Sequence, residues 1–219
     1  MMTKVKICGN TNVEDARLAI DLGADYLGFI FTESKRKVDI SRASHIINSI
    51  EHFQNYVAVF FNQPRQEVER IVEELDIRIL QFHGEETARY CESFMKRGFT
   101  VIKTFRIKDK MSLKRLDEYN VSHFLFDAYS KEQAGGSGIT FDWDVIEDHP
   151  YVHDQLFLAG GLNPDNLRHA IDRIHPFAVD VASGVEIEPG KKDPVALESF
   201  IKIAKDKPNR TSHEDSIRS

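Results

Sequence analysis

Thr3-Lys-Val-Lys-Ile-Cys8, followed by Gly9-Asn10-Thr11-Asn12 and then Val13-Glu14-Asp15, reads as a strand, a tight turn and a helix start. Asn12 ahead of Glu14 and Asp15 is an N-cap with acidic residues in the first helical turn, where the partial positive charge of a helix start favours them. The same order of signals recurs down the chain. Strands are predicted at Val5 to Cys8, Tyr26 to Phe31, Tyr56 to Phe61, Ile77 to Phe82, Thr100 to Phe105, His123 to Asp127, Gln155 to Ala159 and Phe177 to Val181. Runs such as Val57-Ala-Val-Phe-Phe61 are apolar without strict alternation, the pattern of parallel strands buried on both faces.

Between the strands, Val68, Ile71, Val72 and Leu75 recur at i, i+3, i+4 and i+7, as do Leu167, Ala170, Ile171 and Ile174. Each set marks one apolar helix face. Leu197, Phe200, Ile201 and Ala204 repeat the spacing, and Asn163-Pro164 is an N-cap with proline at the first helical position. The repeating unit is therefore βα. Eight units predict a single-domain α/β fold, a closed (β/α)8 TIM barrel over residues 1–205; an open doubly wound sheet is the alternative, because counting units does not prove closure. Residues 206–219 contain one sizeable apolar side chain, Ile217, and read as a short disordered polar tail.

The chain has 219 residues, 41% hydrophobic and 29% charged, with a formal net charge of -6. That balance gives no global positive field for a nucleic-acid backbone, so no nucleic-acid partner is expected. No run approaches the ~20 apolar residues of a membrane helix and no signal-peptide layout opens the chain, so a cytoplasmic protein with no membrane partner is expected. Cys8 and Cys91 do not form a metal-binding spacing.

In βα chains, chemistry gathers at the carboxyl ends of the strands, where the following loops converge. Cys8 ends the first predicted strand and Asp127 the sixth, which makes them candidates for proton transfer: a thiol near cations can ionise, and a screened carboxyl group can act as an acid. Strand seven runs into Ala159-Gly160-Gly161-Leu162 and strand eight into Ala182-Ser183-Gly184. Glycine lets backbone N–H groups approach an anion closely, so Gly160, Gly161, Ser183 and Gly184 are candidate phosphate ligands at the usual position for this fold.

These residues and several others together resemble the phosphoribosylanthranilate isomerase family. The resemblance rests on Lys6-Ile-Cys-Gly-Asn-Thr11, Gly23-Ala-Asp25 with Leu27-Gly28-Phe29, Ser34-Lys-Arg36, Gln81-Phe-His-Gly84, Asp127 with Gly135-Gly-Ser-Gly138 and Phe141-Asp-Trp143, Ala159-Gly-Gly-Leu162 and Asp180-Val-Ala-Ser-Gly-Val-Glu186. It implies a (β/α)8 isomerase of tryptophan biosynthesis, with no cofactor and no metal. Such an enzyme rearranges a small-molecule phosphoribosyl substrate, N-(5-phosphoribosyl)anthranilate, to the 1-deoxyribulose 5-phosphate derivative, as a monomer or homodimer. Residue by residue, it implies Cys8 as general base, Asp127 as general acid, Arg36 on the anthranilate carboxylate and the two glycine turns on the phosphate. Asn10 departs from the usual isoleucine and Ala182 from the usual serine or asparagine.

Other side chains have blander readings. Arg36 lies in Glu33-Ser-Lys-Arg-Lys37, by composition a solvated loop; His83 is a site residue or a scaffold histidine; Asp180 touches a ribose hydroxyl or braces its loop. Cys91 reads as packing, and Pro150 between His149 and His153 argues against a metal site there. A different phosphosugar isomerase or epimerase barrel, or a non-catalytic phosphosugar-binding barrel, are the competing functions.

Overall fold

The computed structural model describes residues 2–107, 110–128 and 154–206. Eight parallel strands close into a barrel in sequence order: β1 (Lys4–Cys8), β2 (Tyr26–Ile30), β3 (Tyr56–Phe60), β4 (Ile79–Phe82), β5 (Thr100–Ile107), β6 (His123–Ala128), β7 (Leu156–Ala159) and β8 (Ala178–Val181). β1 pairs with both β2 and β8, which settles closure against the open sheet. Every predicted strand is present, with its ends moved by no more than two residues.

The described helices are α1 (Val13–Asp21), α2 (Ile40–Asn48), α3 (Arg65–Leu75), α4 (Ala88–Met95), α5 (Pro164–Ile174) and α6 (Pro194–Lys205). The apolar faces read from α3, α5 and α6 are the buried ones. Asn12 and Asn163 cap as predicted: Asn12 accepts from the Asp15 N–H, and Asn163 forms a capping box with Asn166.

Unit five departs from the expected pattern. Two 3-10 turns, Lys110–Leu113 and Leu116–Glu118, stand where an α-helix would follow β5. Leu113, Leu116 and Tyr119 are buried at strict three-residue steps, which a helix of three residues per turn keeps on one side. A short hairpin, β9 (Glu186–Glu188) with β10 (Lys191–Lys192), follows β8 and was not expected. The helical part of unit six, the segments Gly135–Gly138 and Phe141–Trp143, His149, His153 and the tail beyond Asp206 lie outside the described residues.

Side chains alternate between two cores. Outward residues of the strands, among them Val5, Leu27, Phe29, Phe60, Leu80 and Val179, pack against the helices, while Val57, Val59, Ile102, Leu125, Phe157 and Ala178 fill the barrel. An aromatic group closes its lower end: Phe157 meets Tyr26 edge-on at 5.4 Å, and His123 stacks on Phe177 at 4.8 Å. This floor leaves chemistry to the other end.

The floor is also tied by charge. Asp25, just before β2, accepts from Lys4 on β1 at 2.9 Å, from the Val5 N–H at 2.7 Å and from Lys205 on the last helix. Burial alone would raise the Asp25 pKa above its ordinary 3.8, but the hydrogen bonds from Lys205, Lys4 and Val5 outweigh burial and lower it. A lowered folded pKa adds stability above the unfolded value, and that stability fades as pH falls through the folded value. Asp25→Ala should cost about 1–3 kcal/mol near neutrality. Urea unfolding should show the gap between variant and parent closing as the pH drops below about 4; an unchanged gap would exclude this linkage.

Candidate active site

The mouth of the barrel encloses a cavity of about 290 Å³ at the carboxyl ends of the strands. All nine side chains and turns singled out from the sequence line it: Cys8, Arg36, His83, Asp127, Gly160, Gly161, Asp180, Ser183 and Gly184. Residues separated by more than 170 positions in the chain thus share one space.

Cys8 ends β1 with its side chain inward, beside Gly28 of β2 in the strand register. A Cβ built on Gly28 would lie 2.8 Å from the Cys8 Sγ and 3.2 Å from the Lys6 Nζ, so the glycine is what makes room for both. Burial pushes the Cys8 thiol up; the Lys6 ammonium opposes that shift, Asp180 adds to it and Lys192 opposes it again. In the resting site burial wins. The thiol is therefore harder to ionise than its strand-end position alone suggested.

Asp127 faces the cavity from β6, and its Oδ2 lies 3.4 Å from the His83 Nε2. The His83 Nδ1 is 3.4 Å from the Gln81 amide nitrogen, and Gln81 is itself buried against Thr104. A chain of polar groups across β4, β5 and β6 therefore backs the carboxylate.

Arg36 occupies the loop between β2 and α2. The Ser34 hydroxyl accepts from the Arg36 N–H at 3.1 Å, a local turn that explains the Ser-x-Arg spacing. The stem of Arg36 lies over Gly9, where a Cβ would come 2.5 Å from its Cδ; Gly9 also has a φ of 72°, a left-handed conformation that favours glycine. Its head is not solvated as composition implied. Nε donates to both Glu186 oxygens at 2.9 Å and Nη2 to Oε2 at 2.5 Å. Burial would raise the Glu186 pKa, but Arg36 and Lys192 outweigh it and hold this carboxylate ionised.

The glycine turns meet each other. Gly160 and Gly161 have φ of 89° and 67°, open only to glycine without strain. A Cβ on Gly184 would fall 1.9 Å from the Leu162 carbonyl oxygen, so the β7 and β8 turns are in backbone contact. Asn163 takes up the Asp165 and Asn166 N–H groups as helix cap, which leaves the glycine turns rather than the helix itself to face the cavity.

Sequence reading missed three charged residues here. Lys6 is fully buried and donates to Asp180 at 2.8 Å, so Asp180 braces a cation. Lys192, on β10, donates to the Cys8 carbonyl at 2.6 Å and to Glu186 at 2.9 Å. Glu186 joins Lys192 to Arg36. A signal existed for Lys6, since residues two apart in a strand share a face and Cys8 was already placed inward. Asn10, the departure from isoleucine, is buried and donates to the carbonyls of Ile7 and Gly28 at 2.8 and 3.2 Å, stitching β1 to β2 below Gly9.

Residues 5–203 match the family model described as N-(5'phosphoribosyl)anthranilate (PRA) isomerase. The N-(5'-phosphoribosyl)anthranilate isomerase of Pelobacter propionicus is 45% identical over 206 residues, covering 94% of this chain and 97% of that protein. The crystal structure of phosphoribosyl anthranilate isomerase from Thermotoga maritima superposes with a TM-score of 0.83 at 40% identity, covering 93% of this chain and 99% of that one. A phosphoribosyl anthranilate isomerase crystallised in complex with reduced 1-(o-carboxyphenylamino)-1-deoxyribulose 5-phosphate superposes at 0.81 with 37% identity, over 93% and 99% of the two chains. With the closed barrel and the mouth just described, the match over nearly the whole chain makes this protein a member of the N-(5'-phosphoribosyl)anthranilate isomerase family.

Proposed function

We propose that this protein is a cytoplasmic isomerase of tryptophan biosynthesis that converts N-(5'-phosphoribosyl)anthranilate to 1-(o-carboxyphenylamino)-1-deoxyribulose 5-phosphate, with Asp127 as acid and Cys8 as base. The observation that carries the reading is the single cavity faced by both groups in a chain of this family. Asp127 gives a proton to the furanose ring oxygen; the C1′–O bond breaks and an iminium forms between C1′ and the anthranilate nitrogen. That cation acidifies the neighbouring C2′–H, which the Cys8 thiolate removes. The resulting enolamine tautomerises to the ketone, so the two proton transfers leave the overall composition unchanged.

The residue types suit the steps. An acid and a base must face different parts of one bound sugar, and strands β6 and β1 hold them on separate walls of one mouth. The bound iminium favours the thiolate that burial disfavours in the resting site. The glycine turns take the phosphate through backbone N–H groups, which need no net positive charge from a chain carrying -6. Arg36, anchored on Glu186, presents the rest of its guanidinium to the substrate carboxylate.

Turnover is read as loss of anthranilate-type fluorescence from freshly made substrate; folded protein with no turnover would sink the proposal. Cys8→Ala and Asp127→Asn should each lower kcat by at least ~10²-fold with circular dichroism unchanged. Wild-type rates in either variant would remove that residue from its role. Cys91→Ala should change turnover little, because Cys91 is buried in α4 and points away from the mouth chemistry.

For binding, Arg36→Met should raise KM or lower kcat/KM by at least ~10-fold, while Lys37→Met, whose partner is the exposed Glu33, should leave both near parent values. Equal effects would return Arg36 to a plain surface role. Gly184→Ala should lose product-analogue affinity through its clash with Leu162, measured by calorimetry on protein shown to be folded. Unchanged affinity would move the phosphate away from these turns.

A further inference from the structure

From the placement of Lys6 we infer that it is a positioning residue for the isomerisation: anchored by Asp180, its buried ammonium supplies the fixed positive charge against which the Cys8 thiol ionises. The inference rests on the proposed role of Cys8 as base and deepens it.

Four observations carry it. Lys6 is 0% exposed, and a lysine is almost never fully buried unless its charge is paired. Strand alternation puts Lys6 and Cys8 on the same inward face of β1, two residues apart. Gly28, opposite Cys8 on β2, leaves the gap into which the Sγ and the Nζ both reach. Asp180 sits beside Lys6 in the register of β8 and takes its ammonium at 2.8 Å.

The pair is costly as a structural device alone. A buried ion pair gains little over well-packed apolar side chains, since desolvating two charges offsets most of their attraction. At this position a Leu or Met would fill the barrel as Val57 and Leu125 do elsewhere. A charge beside a base is a use that apolar packing cannot replace.

Lys192 also lowers the Cys8 thiol, by less than Lys6, but its ammonium is committed elsewhere. Lys192, from β10, directs its Nζ to the Cys8 carbonyl and to Glu186, and Arg36 spends its fork on the same Glu186. His83 and Asp127 face the cavity from β4 and β6 and interact with each other. Asp180 is the one acid among the groups acting on the thiol, and it raises Cys8 while Lys6 lowers it. Burial disfavours the Lys6 ammonium, and the Asp180 carboxylate beside it opposes burial, with the net shift upward.

Removing the charge against keeping it gives the test. In a Cys91→Ala background, which leaves Cys8 as the single thiol, the pH dependence of thiolate absorbance and of iodoacetamide alkylation reports Cys8 without any turnover. Lys6→Met should raise the Cys8 pKa by about one unit or more and slow alkylation at neutral pH by at least ~10-fold. Lys6→Arg, which keeps a cation at this position, should hold the thiol nearer its parent titration than Lys6→Met does. A purely structural ion pair moves neither, or moves both alike.

Unchanged titration in folded Lys6→Met overturns the inference. Should that variant fail to fold, Lys6→Gln decides in its place, and an unchanged thiol titration there overturns the inference. Turnover separates this from the assignment of the base. Loss of activity in Cys8→Ala with a thiol indifferent to the charge at Lys6 would remove Lys6 and leave the base in place, whereas full activity in Cys8→Ala would remove the base, and Lys6 with it.

Discussion

Pairing of β1 with β8 closes the barrel, and the chemistry of the mouth hangs from that one seam. The register sets Lys6 against Asp180 and Ile7 against Val181, so a cation from one end of the chain meets a carboxylate from the other inside a closed sheet. Phe157, Tyr26, His123 and Phe177 pack against one another in the lower barrel beneath the pair. The next inward residue on β1 is Cys8. Closure therefore decides which charges the thiol meets, and a barrel closed one residue out of register would turn Lys6 and Cys8 outward into the helix layer.

The parts legible in the sequence are those set by local periodicity. A strand buried on both faces is an apolar run whatever its neighbours, and the faces of α3, α5 and α6 follow from 3.6-residue spacing alone. Cap residues such as Asn12 and Asn163 act within three positions. Unit five failed because Leu113, Leu116 and Tyr119 fit a helical period loosely, and only the observed 3-10 turns distinguish a step of three from 3.6.

The site was legible in membership and not in wiring. The nine candidates share a cavity because strand ends converge in any barrel of this kind. Their partners are another matter: Lys6 with Asp180 spans 174 positions, Arg36 with Glu186 spans 150, and Lys192 with the Cys8 carbonyl spans 184. No window of sequence contains both members of any of these pairs. Glu33-Ser-Lys-Arg-Lys37 read as a solvated run by composition, yet Arg36 has a buried carboxylate partner supplied by a hairpin that periodicity did not reveal.

Glu186 gives the mouth a property beyond anchoring. It is nearly buried, held ionised, and shared between Arg36 and the fully buried Lys192, so one acid is paired with two basic side chains. In the proposed binding mode, a substrate carrying both a carboxylate and a phosphate meets the arginine on one side of the cavity and uncharged backbone donors on the other, and these two recognitions set which way round it lies. Arginine is the residue that can serve both partners, since Nε and one terminal nitrogen hold Glu186 while the guanidinium keeps further donors in the same plane. A lysine there, with a single nitrogen, would have to choose between the carboxylate that positions it and the carboxylate it is proposed to bind.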